Sequence, residues 1–172
     1  MGTLNAQLIF SEDFSTGVGQ TPPAGWSSID LAGNGGVWDF SNPGFKTLNA
    51  PITDPAAILD SDFNGSIGGE DATLESPAFD ASVITGNIYL AFDHYFQGGF
   101  GAAYEVEVFD GTVWNSVLSG TTSTANPFAE NIDITAAAGG SAVAQVRFHW
   151  TGDYAWYWIV DNVKVFTLPV SP

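Results

Sequence analysis

The chain has no cysteine and almost no positive charge. Lys46, Arg147 and Lys164 stand against 19 acids, a formal charge of −16 over 172 residues. Each scarcity excludes something. Without cysteine there is no disulfide, no thiolate nucleophile and no thiolate metal site. The two histidines, His94 and His149, supply too few nitrogen ligands for a zinc site. Neither histidine has a serine partner evident in the sequence, so triad-type catalysis has no support. Without clustered Lys and Arg there is no phosphate-binding surface, which excludes nucleic acid as a partner. The same deficit argues against an anionic membrane surface. No apolar run approaches the length that spans a bilayer, so membrane insertion is not expected. Helix-like composition is confined to Ala136-Ala137-Ala138, too short to matter.

What is present is a core. Hydrophobic residues make up 45% of the chain and aromatics 14%, enough to exclude disorder. The length suits one domain. Residues 1–7 read as an N-terminal extension or signal-peptide remnant, 8–166 as the domain, and 167–172 as a C-terminal linker of a longer protein.

The pattern is β almost throughout. Strands are expected at 8–14, 26–30, 37–40, 87–96, 103–109, 112–118, 129–134, 142–150 and 156–166. Turn clusters border them, and Asp110-Gly111 is a hairpin signal. Many short strands with Gly-rich turns predict an all-β, antiparallel jelly-roll β-sandwich, with the first and last strands close together. The expected core includes Phe14, Trp26, Leu90, Phe92, Val106, Val108, Phe148, Ile159 and Val163.

Asp60-Ser61-Asp62-Phe63-Asn64-Gly65, with an acid at loop position twelve, approximates a calcium-binding loop. Alternate oxygens point inward around a hard cation, Gly65 allows the sharp turn, and Asp71 closes the shell. The flanks lack amphipathic helices, so such a loop would lie between strands. The plainer reading is a polar turn without metal. A second acid set lies on the terminal strands. Alternation places Ile159, Asp161, Val163 and Val165 on one face, and a carboxylate among β-branched residues needs a partner or a metal. One of Glu12 and Asp13 also points inward. If the first and last strands pair, these acids meet at one cation; the alternative is a hydrogen-bonded structural aspartate. Calcium as staple is compatible with an extracellular chain that lacks cysteine.

Across residues 8–166 the sequence resembles MAM-like, cleaved-adhesin-like and choice-of-anchor J domains of secreted bacterial proteins. The resemblance is carried by Glu12-Asp13-Phe14, Pro22-Pro23-Ala24-Gly25-Trp26, Asp60-Ser61-Asp62 and Leu74-Glu75-Ser76-Pro77-Ala78-Phe79-Asp80. Leu90-Ala91-Phe92-Asp93-His94-Tyr95 and Asp110-Gly111-Thr112-Val113-Trp114 add to it. Val146-Arg147-Phe148-His149-Trp150 and Trp156-Tyr157-Trp158-Ile159-Val160-Asp161-Asn162-Val163 are its strongest part. It implies a concanavalin- or galactose-binding-like sandwich, a secreted or cell-surface location and structural calcium. Glu12, Asp13 and Asp161 match positions where such domains hold a cation, and Asn162 replaces a common second aspartate there. It implies no single activity.

Three functions remain open. The first is a non-catalytic module for adhesion or glycan binding, whose partner is a glycan or a cell-surface protein. Tyr154, Trp156 and Trp158, beside Tyr157, are its candidate sugar-stacking residues; the plainer reading places such aromatics in the core. The second is a filament or surface-layer subunit that pairs with copies of itself through the strand-like segment 4–10. The third is a β-glucanase-like hydrolase using Glu105 and Glu107, which share a strand face; the plainer reading is a solvated sheet face.

Overall fold

A computed structural model describes residues 6–168. Ten strands build two antiparallel sheets. They are β1 Gln7–Glu12, β2 Ser27–Asp30, β3 Ala57–Asp60, β4 Glu70–Glu75, β5 Asn87–Gln97, β6 Ala103–Phe109, β7 Trp114–Gly120, β8 Phe128–Asp133, β9 Gln145–Gly152 and β10 Tyr157–Leu168. Two helical turns, α1 Ser61–Asn64 and α2 Thr135–Ala138, interrupt them. The first sheet runs β1-β10-β5-β8, with β3 also paired to β10. The second runs β2-β4-β9-β6-β7.

Period-two alternation explains how the sheets meet. In β5, Ile88, Leu90, Phe92, His94 and Phe96 are buried while their neighbours are half-exposed. Tyr104, Val106 and Val108 of β6 and Val146, Phe148 and Trp150 of β9 face them from the second sheet. Phe92 meets Phe148 edge-on at 5.1 Å between centroids, and Trp158 contacts Tyr104 at 5.1 Å. Each such side chain, fully buried, contributes about 1.5–3 kcal/mol of burial free energy. All nine expected core residues are buried.

The sequence-drawn boundaries need correction in places. Gln7 and Thr167, assigned outside the sandwich, pair with each other in the β1–β10 ladder. Segment 37–40 is not a strand; it makes one bridge, Asp39 to Ile58, and buries Trp38 and Phe40 from a loop. Conversely β4 went unrecognised, because its inward residues are Glu70, Ala72 and Leu74 and a charge in that row hides the period. Residues 4 and 5 of the strand-like segment 4–10, and 169–172 of the linker, lie outside the described residues.

One irregularity decides where the acids go. The β5–β10 register shifts between Asp161 and Lys164, and Asn162 sits at φ 53. Asparagine tolerates this left-handed backbone better than most residues. The bulge inverts the parity of β10. Before it, Trp158 and Val160 face the main core; after it, Val163 and Val165 do. Ile159 instead joins Ile52, Ala56 and Ile58 in a smaller cluster. Asp161 therefore does not share a face with Val163 and Val165, contrary to simple alternation.

Candidate functional site

The bulge lies where β10 exchanges one edge partner for another. β3 pairs with Tyr157 to Val160, and β1 with Val163 to Thr167. Asp161 falls in the gap and is fully buried. Its Oδ2 accepts the Thr53 N–H at 2.9 Å and its Oδ1 the Asn162 N–H at 2.7 Å. Burial pushes its carboxyl up to about 6 against the pull of those two donors, and the nearby Asp13 and Asp93 push it further. Asp93 is its register partner on β5 and accepts the Asn162 side-chain amide at 3.0 Å. Glu12 is raised by burial, while its Oε1 accepts the Phe14 N–H at 2.8 Å. Asp13 is exposed and caps the Ser15 N–H. Among the described residues no cationic side chain pairs with Asp161. A buried carboxylate bordered by like charges is an environment that a hard, oxygen-seeking cation relieves. Asp93 was missed in the sequence; its signal is its place opposite Asp161 across the β5–β10 ladder.

The D-x-D-x-N segment is organised differently. Its first residues form α1, and Asp60 Oδ1 accepts the Phe63 N–H. Lys46 reaches in, its Nζ 2.8 Å from Asp62 and 3.3 Å from Asp60, and lies 4.8 Å over the Tyr157 ring. Burial pulls the Lys46 ammonium down, but Asp62 and Asp60 outweigh it and the net shift is upward. Burial raises the Asp60 carboxyl despite that ammonium. Asn64 donates to Glu70 at 2.7 Å, and Trp150 Nε1 donates to the other Glu70 oxygen at 3.1 Å. Strand alternation then points Asp71 away, onto the outer face of the second sheet. The structure thus brings Asp60 and Asp62 together around Lys46 and leaves Asn64 and Asp71 with other partners.

On that outer face three strands carry a ladder of charges. His149 Nε2 contacts Asp71 at 2.6 Å and its Nδ1 contacts Glu107 at 3.1 Å. Arg147 donates to both Glu107 oxygens, at 2.6 and 3.0 Å, and reaches Glu75 at 3.5 Å. Its guanidinium also stacks on Trp114. Glu105, Glu107 and His149 offer ligand atoms within 4.8 Å of one another, a possible metal cluster. Glu107 is not on a solvated face as expected; it is buried and fully engaged. Substituting Arg147→Met is expected to destabilise the fold by about 3–5 kcal/mol, because it takes the guanidinium from the buried Glu107 carboxylate and leaves it His149 alone. Adding Glu107→Leu to Arg147→Met should restore most of the loss. Urea unfolding of the two variants checks both, and equal midpoints for Arg147→Met and wild type would refute the burial argument.

The aromatic candidates divide. Trp158 is a core residue: it is fully buried and donates to His94 Nδ1 at 3.1 Å. Tyr154 is 59% exposed, and Trp156 is partly exposed beside it. They border an open depression with Phe100, which the sequence reading did not include. The signal for Phe100 was an aromatic residue set between glycines 99 and 101.

No protein-family model matches the chain, and no curated protein matches it. Solved structures do share its fold. The K3 cleaved adhesin domain of Lys-gingipain from Porphyromonas gingivalis W83 is 18% identical, over 94% of this chain and 99% of that domain, with a TM-score of 0.66. The module TmCBM61, solved with β-1,4-galactotriose, is 16% identical, over 90% and 94% of the two chains, at 0.58. A Stig cyclase, Fisc, from Fischerella sp. TAU also matches, 17% identical over 87% of each chain, at 0.53. The chain is thus an all-β, two-sheet antiparallel sandwich of the fold that adhesin domains and carbohydrate-binding modules share. No helix among the described residues is long and apolar enough to cross a membrane.

Proposed function

We propose that the chain is a secreted, calcium-binding, non-catalytic β-sandwich module that acts at the cell surface through adhesion or glycan binding. The observation that carries this reading is the fold shared, over at least nine-tenths of the chain, with the gingipain adhesin domain and with a module bound to a galactan trisaccharide. A non-catalytic role is supported by the state of the strand acid pair Glu105 and Glu107: Glu107 is locked by Arg147 and His149. Calcium is assigned to the terminal-strand acids Glu12, Asp13 and Asp161, joined by Asp93. In the 60–71 segment Lys46 already supplies the positive charge that Asp60 and Asp62 need. Tyr154 and Trp156 are the residues that offer apolar faces to a sugar.

A second reading, a self-assembling surface subunit, is favoured by the edge position of β1 and by the exposure of Leu8 on it. One paired experiment separates the two: the purified protein is applied to a glycan array and imaged by electron microscopy, both with calcium. Glycan binding by a dispersed monomer is the expected result. Ordered filaments without glycan binding would replace the first reading by the second. Hydrolysis of a β-glucan, abolished by Glu105→Gln, would remove both.

A further inference from the structure

We propose that Phe100, Tyr154 and Trp156 form one preformed stacking site for a neutral sugar ring, a proposal that rests on the glycan-binding reading above. The three residues come from two loops, β5–β6 and β9–β10, which meet α1 at one end of the sandwich. They line a depression of about 270 Å³ together with Asp62 and Ala155. The Phe100 and Trp156 rings lie 5.8 Å apart and are tilted 54°.

The fold by itself gives no reason for this arrangement. Phe100 is 75% exposed and holds φ 52; Tyr154 is 59% exposed and holds φ 44. Bulky residues avoid this left-handed region, and where it occurs in turns glycine or asparagine is the usual occupant. Here two aromatic residues adopt it and gain no burial in return. Phe45, 92% exposed at φ 53, shares this combination; what sets Phe100 and Tyr154 apart is that both border one depression with Trp156. The site is also rigidly built. Asp62 N–H donates to the Trp156 carbonyl at 3.1 Å, and Ala155 N–H to Ser61 Oγ at 2.9 Å. Ala102 N–H closes the Phe100 turn on the Gly99 carbonyl at 3.0 Å. A ligand therefore meets a surface that needs little ordering, which favours binding.

The chemistry selects the ligand. Three aromatic side chains at one open depression suit the apolar face of a pyranose ring. Asp62, which lines the depression, places an acceptor there for ring hydroxyls. A quaternary ammonium ligand also favours aromatic surroundings and an acidic neighbour, but its nitrogen has no hydrogen to donate to Asp62, and choline is therefore the competing ligand in the test. An anionic sugar meets a chain of net charge −16. A neutral hexose or pentose unit uses both the aromatic side chains and the Asp62 acceptor.

The test uses the calcium-loaded protein and calorimetric titration with soluble galactan, mannan, xylan, polygalacturonate and choline. Binding of at least one neutral polysaccharide, and of neither polygalacturonate nor choline, is expected. Phe100→Ala and Tyr154→Ser should each lower that affinity about tenfold or more, as hot-spot aromatics do, with unchanged melting because both side chains are exposed. Trp156→Ala should do the same. Val113→Ala, at the β6–β7 turn of the opposite end, should leave binding intact. If no neutral polysaccharide binds wild type, the glycan reading itself fails. If one binds and all three aromatic variants keep wild-type affinity, the site is elsewhere on the module and this assignment fails alone. Choline binding without sugar binding overturns the ligand class.

Discussion

Calcium added at pH 7 to chelator-stripped protein is expected to raise the melting temperature by about 5–10 °C at a hundredfold excess over the dissociation constant. A cation that binds only the folded state stabilises it by about 2.7 kcal/mol at that excess, and about 1 kcal/mol moves a domain of this size by roughly 2–4 °C. The physical source of the effect is Asp161. Its carboxyl is fully buried and pushed up to about 6, against an unfolded value of 3.8. A carboxyl raised in this way contributes most to stability below pH 3.8, and the contribution is lost as pH rises through 6. At neutral pH the metal-free fold carries an unrelieved charge worth about 2–3 kcal/mol. Calcium bound at this carboxylate would take the place of the proton and relieve the charge without requiring acid. Magnesium should restore less, since it demands a tight octahedral shell and gives up its water reluctantly. Asp161→Asn should abolish the calcium response, whereas Asp62→Asn should leave it in place. Scanning calorimetry with and without calcium decides the matter; an identical melting temperature in both conditions on demetallated protein would falsify the assignment.

The second large effect is acid sensitivity of the calcium-loaded protein, expected to lose about 3 kcal/mol between pH 6.5 and pH 4. The group responsible is His94, fully buried inside the sandwich among Phe92, Tyr104, Phe128 and Trp158. Burial lowers its imidazole from 6.5 to about 4. A depressed histidine contributes fully above pH 6.5, and that contribution disappears as pH falls towards 4, because the unfolded chain takes up a proton that the folded one refuses. Trp158 donates to Nδ1, so Nε2 carries the hydrogen, and it faces Glu130 at 3.6 Å without a hydrogen bond. Burial raises the Glu130 carboxyl, which limits the help it gives to a protonated ring. In the metal-free protein Asp161 works in the opposite direction over an overlapping range, so its pH profile should be flatter. His94→Gln keeps an acceptor for Trp158 and should remove most of the acid loss. Denaturant unfolding at pH 7, 5.5 and 4, with and without calcium, measures this. Equal steepness in wild type and His94→Gln would rule His94 out.

The alternation of β5, β6 and β9 was legible residue by residue, because each strand buries one face against the other sheet and a period of two cannot be satisfied another way. The Asp110-Gly111 hairpin was legible for a local reason: Asp110 Oδ1 accepts the Thr112 and Val113 N–H groups within the turn. β4 was not legible, since its buried Glu70 is tolerable only with Trp150 and Asn64 as partners, and those lie far away in the chain or around a turn. In the 60–71 motif Asp60 and Asp62 do come together, and the charge they meet is Lys46, whose approach no local pattern records.

The all-β class and the buried core were already written along the chain. These follow from composition and from the two-residue repeat, which every stretch of chain carries locally. Which acids meet and which aromatics face water depends on the folded arrangement. The bulge at Asn162 reversed the parity of β10 and set Asp161 beside Asp93 and Asp13 rather than within the valine row. Trp158 and Trp156 are two residues apart, yet one is fully buried in the core and the other borders an open depression with Phe100, from 56 positions earlier. Register shifts and loop convergence arise from pairing between distant segments, and no local repeat records them.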